Sequence, residues 1–218
     1  MPIRMLPSHP RRYIASNKAK DLLLCQFVRD FMRGNRTNRL GCFADRNRTF
    51  DDALRNLDRG ELIVEIGSMR SEEDWAGAGF STYAWGLFAS QVGLDVVSID
   101  IDQTVNEFAK KWTEPFGDSV NCERCDGLEW LRNDDRKIGL LYLDGLDSDQ
   151  PGHEESCLAM AQAAYRRCKM ILIDDTPYRA DRREWCGKGK TTVPWLLANN
   201  YSLMRSGYQV LLWNTQCE

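Results

Sequence analysis

Only two histidines occur among the 218 residues, and the chain has a single Cys-x-x-Cys, Cys122 to Cys125. Without a second ligand pair at zinc spacing no structural zinc is expected, and these cysteines read as small, half-buried residues at a strand end. No apolar run reaches the roughly 18 residues of a membrane-spanning helix. Around Arg4, Arg11, Arg12, Lys18 and Lys20 there is no apolar stretch of signal length, which disfavours membrane insertion and secretion. The eight cysteines, at 25, 42, 122, 125, 157, 168, 186 and 217, lack the compact spacing of a disulfide framework, so a reducing, cytoplasmic setting is the expectation. Repeats, low-complexity segments and long linkers are missing as well. So is a Gly-x-Gly-x-x-Gly turn, which argues against a pyrophosphate-binding loop.

What remains is an ordinary globular composition, 43% apolar and 28% charged, long enough for one domain with appendages. Charge is unevenly placed. Residues 1–60 hold eleven Arg and two Lys against six Asp and no Glu, a surplus of +7, which leaves −10 for the remainder of the net −3. A basic arm of this kind meets nucleic acid or an anionic substrate, or else forms a solvated helix face; no aromatic-rich groove for stacking on single strands accompanies it. Leu23, Leu24, Phe27, Val28, Phe31 and Met32 recur at helical spacing over 17–33, closed by Gly34-Asn35. Thr49 with Asp52 reads as a variant capping box ahead of a short helix carrying Leu54 and Leu57 and ending at Gly60. The expected organisation is an N-terminal helical appendage, 1–60, followed by one domain, 61–218.

Residues 61–66 (Glu-Leu-Ile-Val-Glu-Ile) have the short, nearly continuous apolar run of a strand buried on both faces. A helix is expected over 80–92 with Gly93 as its stop signal, then a strand over 95–99 running into Asp100. In an open α/β sheet ligands bind at the carboxyl ends of the strands, and a carboxylate there accepts both hydroxyl hydrogens of a ribose. Glu65, two residues before Gly67, suits a ligand with a cationic end. Further elements alternate at 103–111, 118–122, 127–132, 138–143, 154–167, 169–174 and 190–199, predicting an α/β architecture with a mainly parallel sheet and helices on both faces. The strands at 201–205 and 208–213 are joined too tightly for a crossover and are expected to be antiparallel.

The Glu65-x-Gly67, Gly79-x-Ser81-Thr82 and Asp100 pattern resembles class I S-adenosylmethionine-dependent methyltransferases, especially the small-molecule O-methyltransferase branch, over about residues 61–213. The resemblance implies a Rossmann-like class I methyltransferase fold with a seven-stranded sheet and a C-terminal antiparallel hairpin. It implies S-adenosylmethionine as cofactor, held by Glu65, Gly67, Ser68, Gly79, Ser81, Thr82, Asp100 and Ile101. Asp126 and Gly127 follow the third strand where the family contacts adenine; Asp126 also reads as a helix N-cap, and both roles can hold at once. One departure stands out: twelve positions separate Gly67 from Gly79 where the family has about four residues between its glycines, so 68–78 reads as an inserted loop.

Downstream, the fourth strand ends in Asp144-Gly145 and the fifth in Asp174-Asp175, so three carboxylates are expected to converge. Such clustering is costly unless a cation neutralises it or one group is protonated, and oxygen-only ligands suit a hard divalent ion. The Leu-Asp-Gly and Ile-Asp-Asp pair resembles the metal motifs of macrocin-type O-methyltransferases and, more distantly, catechol O-methyltransferase. That likeness implies Mg²⁺ or another divalent cation on Asp144, Asp174 and Asp175, with Asp144 doubling as base. His153 is a second candidate base and also a helix-start residue. The basic stretch 176–190, with Arg179, Arg182, Arg183, Lys188 and Lys190 around Trp185, reads as a lid over an anionic substrate or as a solvated loop. The expected function is metal-assisted O-methylation of a small hydroxylated molecule, with no membrane partner and a homodimer left open. An RNA methyltransferase and a non-catalytic methyltransferase-like binding protein are the alternatives.

Overall fold

Strands such as Leu62–Ile66 and Ile138–Leu143, in which nearly every residue is apolar and buried, must be covered on both faces, and the chain supplies helices for each. A computed structural model describes residues 46–72 and 80–217. Its core is a seven-stranded sheet built from β1 (Leu62–Ile66), β2 (Asp95–Asp100), β3 (Val120–Arg124), β4 (Ile138–Leu143), β5 (Cys168–Ile173), β8 (Tyr201–Ser206) and β9 (Val210–Asn214), in the order β3-β2-β1-β4-β5-β9-β8. The pairs among β1 to β5 are parallel, whereas β9 runs antiparallel to β5 and β8 antiparallel to β9. The strand order reverses direction beside β1, which opens a crevice at the carboxyl edge.

Side chains alternate across the sheet as the pleat requires. Leu62, Val64 and Ile66 of β1, with Val97 and Ile99 of β2 and Leu141 and Leu143 of β4, face one core layer. It is closed by α4 (Gly127–Asn133), α5 (His153–Ala164) and α6 (Gly189–Leu197) through Leu131, Met160, Val193 and Leu196. Ile63, Val96, Leu140 and Tyr142 face the other layer, under α1 (Arg46–Arg55) and α2 (Ser81–Val92). A smaller cluster beside it packs Ala109 of α3 (Gln103–Thr113) on Met69, Phe80 and Cys122. α2 ends at Gly93 in the left-handed conformation, φ 79°, and α3 is capped by the Asp102 carboxylate, which accepts from the Thr104 and Val105 amides.

Of the boundaries that differ from the sequence reading, three have a physical reason in the structure. Thr49 lies inside α1 and is buried, not at its cap, because the helix is already under way at Arg46, whose side chain is drawn into the sheet edge. β3 begins at Val120 because Glu114–Ser119 forms short 3₁₀ turns kinked at Gly117, with Pro115 at their start. α5 stops at Ala164, and Tyr165–Arg167 makes a 3₁₀ turn into β5. The helix expected over 17–33 lies outside the described residues.

Two interactions fix the layer under α1 and α2. Phe50 stacks on Trp85 with ring centroids 3.9 Å apart and planes 8° from parallel, and both rings meet Tyr142 edge-on. Beside them on β1 stands Glu65, fully buried, paired across the ladder with Ser98 of β2 and accepting from the Ser98 hydroxyl at 2.5 Å. Burial pushes the Glu65 carboxyl up to about 7, against the pull of hydrogen bonds from Ser81, Ser98 and Thr82.

Phe50→Ala is expected to cost about 3 kcal/mol of unfolding free energy in urea, since it opens a cavity against Trp85 and Tyr142 and loosens α1. For Glu65 the sign follows from its raised value. Below the ordinary 4.5 both folded and unfolded chains hold the proton; from there to about 7 the unfolded chain releases it first, so stability falls as pH rises and then levels off. Glu65→Gln removes that titration. Relative to the wild type, the variant is expected to gain on the order of 3 kcal/mol between about pH 4 and about pH 8 in paired denaturation curves.

Candidate functional site

At the end of β1 the backbone turns through Gly67, φ +91°, where a Cβ would stand 2.3 Å from the Asp144 carbonyl oxygen. Only glycine lets the β1 loop press against the end of β4 in this way. The next amide, Ser68 N–H, donates to Asp100 Oδ2 at 3.1 Å, while Asp102 N–H donates to Oδ1 at 2.9 Å. Asp100 is thus aimed by two backbone donors and keeps further acceptor capacity on each oxygen. Ile101 beside it is 67% exposed, an apolar surface next to a carboxylate at the sheet edge. Ser68 Oγ and Ser98 Oγ lie 2.7 Å apart, and Met69 N–H donates to Thr82 Oγ1 at 3.0 Å. Glu65, Ser68, Ser81 and Thr82 therefore form the buried foundation of the loop, and Glu65 presents no surface to a ligand; it acts through Ser98 and Ser68.

Asp126 caps α4, its Oδ1 accepting from the Glu129 amide at 2.8 Å, and it is exposed. Gly127 allows α4 to approach β1, since a Cβ there would meet Ile66 at 2.6 Å. Gly79 lies outside the described residues. Across the crevice, Arg70 Nη1 pairs with Asp147 Oδ2 at 3.0 Å, linking the loop after β1 to the loop after β4.

The three downstream carboxylates do converge: one oxygen from each of Asp144, Asp174 and Asp175 lies within 4.8 Å of the others. Two cations of the chain stand among them. Lys188, with 2% of its side chain exposed, places Nζ 2.5 Å from Asp144 Oδ1 and 3.2 Å from Asp175 Oδ2. Arg46 forks onto Asp174, Nε to Oδ1 at 3.1 Å and Nη2 to Oδ2 at 2.5 Å, and stacks over the Tyr208 ring at 4.7 Å. Gln209 Nε2 donates to Asp174 Oδ1 at 2.8 Å and to the Tyr142 hydroxyl at 3.2 Å; that hydroxyl donates to Asp144 Oδ2 at 3.1 Å. Tyr208 OH donates to Asp175 Oδ1.

The electrostatics follow from this packing. Burial alone would lower Lys188, but Asp144, Asp174 and Asp175 outweigh it and hold the ammonium well above its ordinary value. Burial would raise Asp175, yet Lys188, the Tyr208 hydroxyl and Arg46 hold it below. Burial and then the charge of Asp144 push Asp174 up to about 8, against Arg46 and Lys188. Three carboxylates against two cations leave one surplus negative charge, which burial makes costly to hold.

Two side-chain cations meet the cluster where the sequence reading expected a divalent ion. Lys188 bridges Asp144 Oδ1 and Asp175 Oδ2, and Asp174 accepts from Arg46 on both oxygens and from Gln209 on Oδ1. Lys188 is also not the exposed lid residue that its basic neighbours suggested. Its flanking glycines give the reason: a Cβ at Gly187 would fall 1.9 Å from the Asp175 carbonyl oxygen, and one at Gly189 would fall 2.0 Å from Thr176. Gly-Lys-Gly thus presses the chain onto the end of β5 and sends the lysine inward, a signal legible in the sequence once a nearby carboxylate cluster is expected. The rest of the stretch folds back as a two-stranded hairpin, β6 (Tyr178–Arg179) with β7 (Glu184–Trp185), in which Tyr178 and Trp185 pack at 4.7 Å. His153 is the first residue of α5, and its Nδ1 lies 2.7 Å from the Gln150 carbonyl oxygen, the helix-start role.

No protein-family model matches the chain, and no curated protein matches it. Solved structures do. An rRNA methylase from Streptococcus thermophilus is similar with a TM-score of 0.52 and 9% identity, over 77% of this chain and 95% of that one. TrmN from Thermus thermophilus reaches a TM-score of 0.50 at 13% identity, over 75% of this chain and 47% of that one. A SAM-dependent methyltransferase from Geobacter sulfurreducens, in complex with S-adenosyl-L-homocysteine, has a TM-score of 0.49 at 18% identity, over 83% and 72%. With its seven-stranded sheet, reversed last strand and helices on both faces, this chain has the class I methyltransferase fold.

Proposed function

We propose that the protein is an S-adenosylmethionine-dependent O-methyltransferase that methylates a hydroxyl of a small molecule. The observation that carries this reading is the seam at Gly67. There a loop whose next amide aims Asp100 lies directly against the backbone of Asp144, so a ribose-type acceptor and a proton-accepting carboxylate share one crevice. The residues present suit the cofactor: Asp100 has lone pairs to spare for two ribose hydroxyls, Ile101 offers an apolar face for a base, and the Gly67 turn holds the loop after β1 against the end of β4. S-adenosylmethionine, when bound, supplies a methyl group on a sulfonium centre, activated for attack by a nucleophilic oxygen.

The chain's own part is alignment and proton management. Asp144 takes the proton from the acceptor hydroxyl on the oxygen edge not occupied by Lys188, and Tyr142 keeps the carboxylate's orientation through its hydroxyl. Lys188 holds the other oxygen and stabilises negative charge as it develops on the acceptor. Burial excludes water from the far side of the cluster, where Asp174 is sealed by Arg46 and Gln209.

RNA is the second acceptor reading. Arg179, Arg182 and Arg183 are exposed on the β6–β7 hairpin next to Tyr178, which is 44% exposed, and a basic loop with an outward ring suits a polynucleotide. RNA binding that weakens steeply with salt would favour this reading over a small molecule.

Two measurements test the proposal. Asp100→Ala is expected to weaken S-adenosylhomocysteine binding by about tenfold to a hundredfold in calorimetry, with an unchanged melting profile; unchanged affinity would remove Asp100 from the cofactor site. Asp144→Asn is expected to keep S-adenosylhomocysteine affinity within about twofold while methyl transfer to a panel of alcohols, phenols and sugars falls by about 100-fold or more. Equal loss of both would place Asp144 in cofactor binding instead.

A further inference from the structure

A divalent ion at a carboxylate cluster does two things: it cancels like charge, and it binds a pair of substrate oxygens at once. Here the first task is done by side chains from two distant segments. Lys188 sits between Asp144 Oδ1 and Asp175 Oδ2, at 2.5 and 3.2 Å, in the gap between carboxylates that a metal would need. The lysine is locked in place. Its own amide donates to the Asp175 carbonyl at 3.2 Å, its carbonyl accepts from Thr192 Oγ1 at 3.4 Å, and Gly187 and Gly189 lie closer to Asp175 and Thr176 than any side chain allows. Asp175 itself adopts φ +46°, a conformation that non-glycine residues rarely take, which turns its carboxylate toward Lys188 and Tyr208 at a local backbone cost. An ammonium carries three protons; two are spent on Asp144 and Asp175, and the third has no partner among the described residues.

We propose that Lys188 is the resident cation of this centre, seated where a divalent ion would otherwise bind, and that the site accordingly takes an acceptor through one hydroxyl, not a chelating pair of oxygens. This deepens the O-methyltransferase reading and rests on it for the word acceptor. The exclusion of metal rests on the cluster geometry alone. One ammonium proton offers a single hydrogen bond to a substrate oxygen, whereas a metal with open positions selects vicinal diols or catechols. Lone alcohols and phenols are therefore the acceptor class.

The test uses the full chain and Mn²⁺ alone as probe, followed by electron paramagnetic resonance of the free ion, with S-adenosylhomocysteine calorimetry on the same samples. Wild type is expected to take up no stoichiometric Mn²⁺. Lys188→Met, which keeps the stem and deletes the charge, is expected to bind one Mn²⁺ at least about tenfold more tightly than wild type, and adding Asp144→Asn should abolish that gain. Lys188→Gln serves as the second variant if Lys188→Met fails to melt cooperatively. Stoichiometric Mn²⁺ on wild type that Asp174→Asn removes would overturn the proposal, and so would a folded Lys188 variant that binds Mn²⁺ no better than wild type. Failure of the wild type to bind S-adenosylhomocysteine would sink the cofactor reading and leave the Mn²⁺ result to judge the cation on its own.

Discussion

Asp174 directly follows an interior strand of the sheet with 1% of its surface exposed, and a carboxylate in that position is tolerable only if its charge is met from within. Arg46 meets it with a two-point fork 128 positions back along the chain, the pairing that guanidinium geometry favours. Much of the surrounding architecture serves that contact. α1 has to dock on the sheet to deliver Arg46, and it docks through Phe50 on Trp85. β9 has to lie beside β5 for Gln209, one residue before it, to reach the same carboxylate. Removing one member of such a buried pair costs about 3 to 5 kcal/mol, because the other is left desolvated and alone.

The frame was legible because it is written in apolar periodicity. Leu62 to Ile66 and Ile138 to Leu143 are nearly continuous hydrophobic runs, which only a strand covered on both sides accommodates, and the short Ser206-Gly207 turn forbids a crossover. The convergence of Asp144 with Asp174-Asp175 was equally readable, since neighbouring parallel strands bring their carboxyl ends together. What no local pattern records is which cations answer them. Arg46 lies in a segment whose surplus of arginine reads as a solvated face, and Lys188 lies among exposed arginines. Each is buried for a reason held far away in the sequence. Thr49 failed similarly: Ser, Thr and Asp favour caps by local hydrogen bonding, but the pull of Asp174 and Trp85 extends the helix past that point.

The crevice has two sides of different character, joined at Gly67. On the β2 side, Asp100 is oriented by backbone amides, which no side-chain rotation can withdraw. On the β4–β5 side, Asp144 is oriented by Lys188 and Tyr142, side chains that themselves depend on packing. A substitution at Gly67 would therefore disturb both sides at once, since any Cβ there strikes the Asp144 carbonyl and displaces the Ser68 amide next to it.

The wide sequence spacing of the Asp174 contacts also sets what those contacts cost to form. The hydrogen bonds that aim Asp100 come from the Ser68 and Asp102 amides, and its carbonyl accepts from the Cys125 amide. Asp174, by contrast, needs Gln209, and its partner Arg46 must be held near the sheet edge across a long closure. The Asp174 contacts therefore close longer loops than those that set Asp100, and their closure entropy is the larger. The charge cluster thus ties Arg46, ahead of the first strand, to Gln209, just before the last.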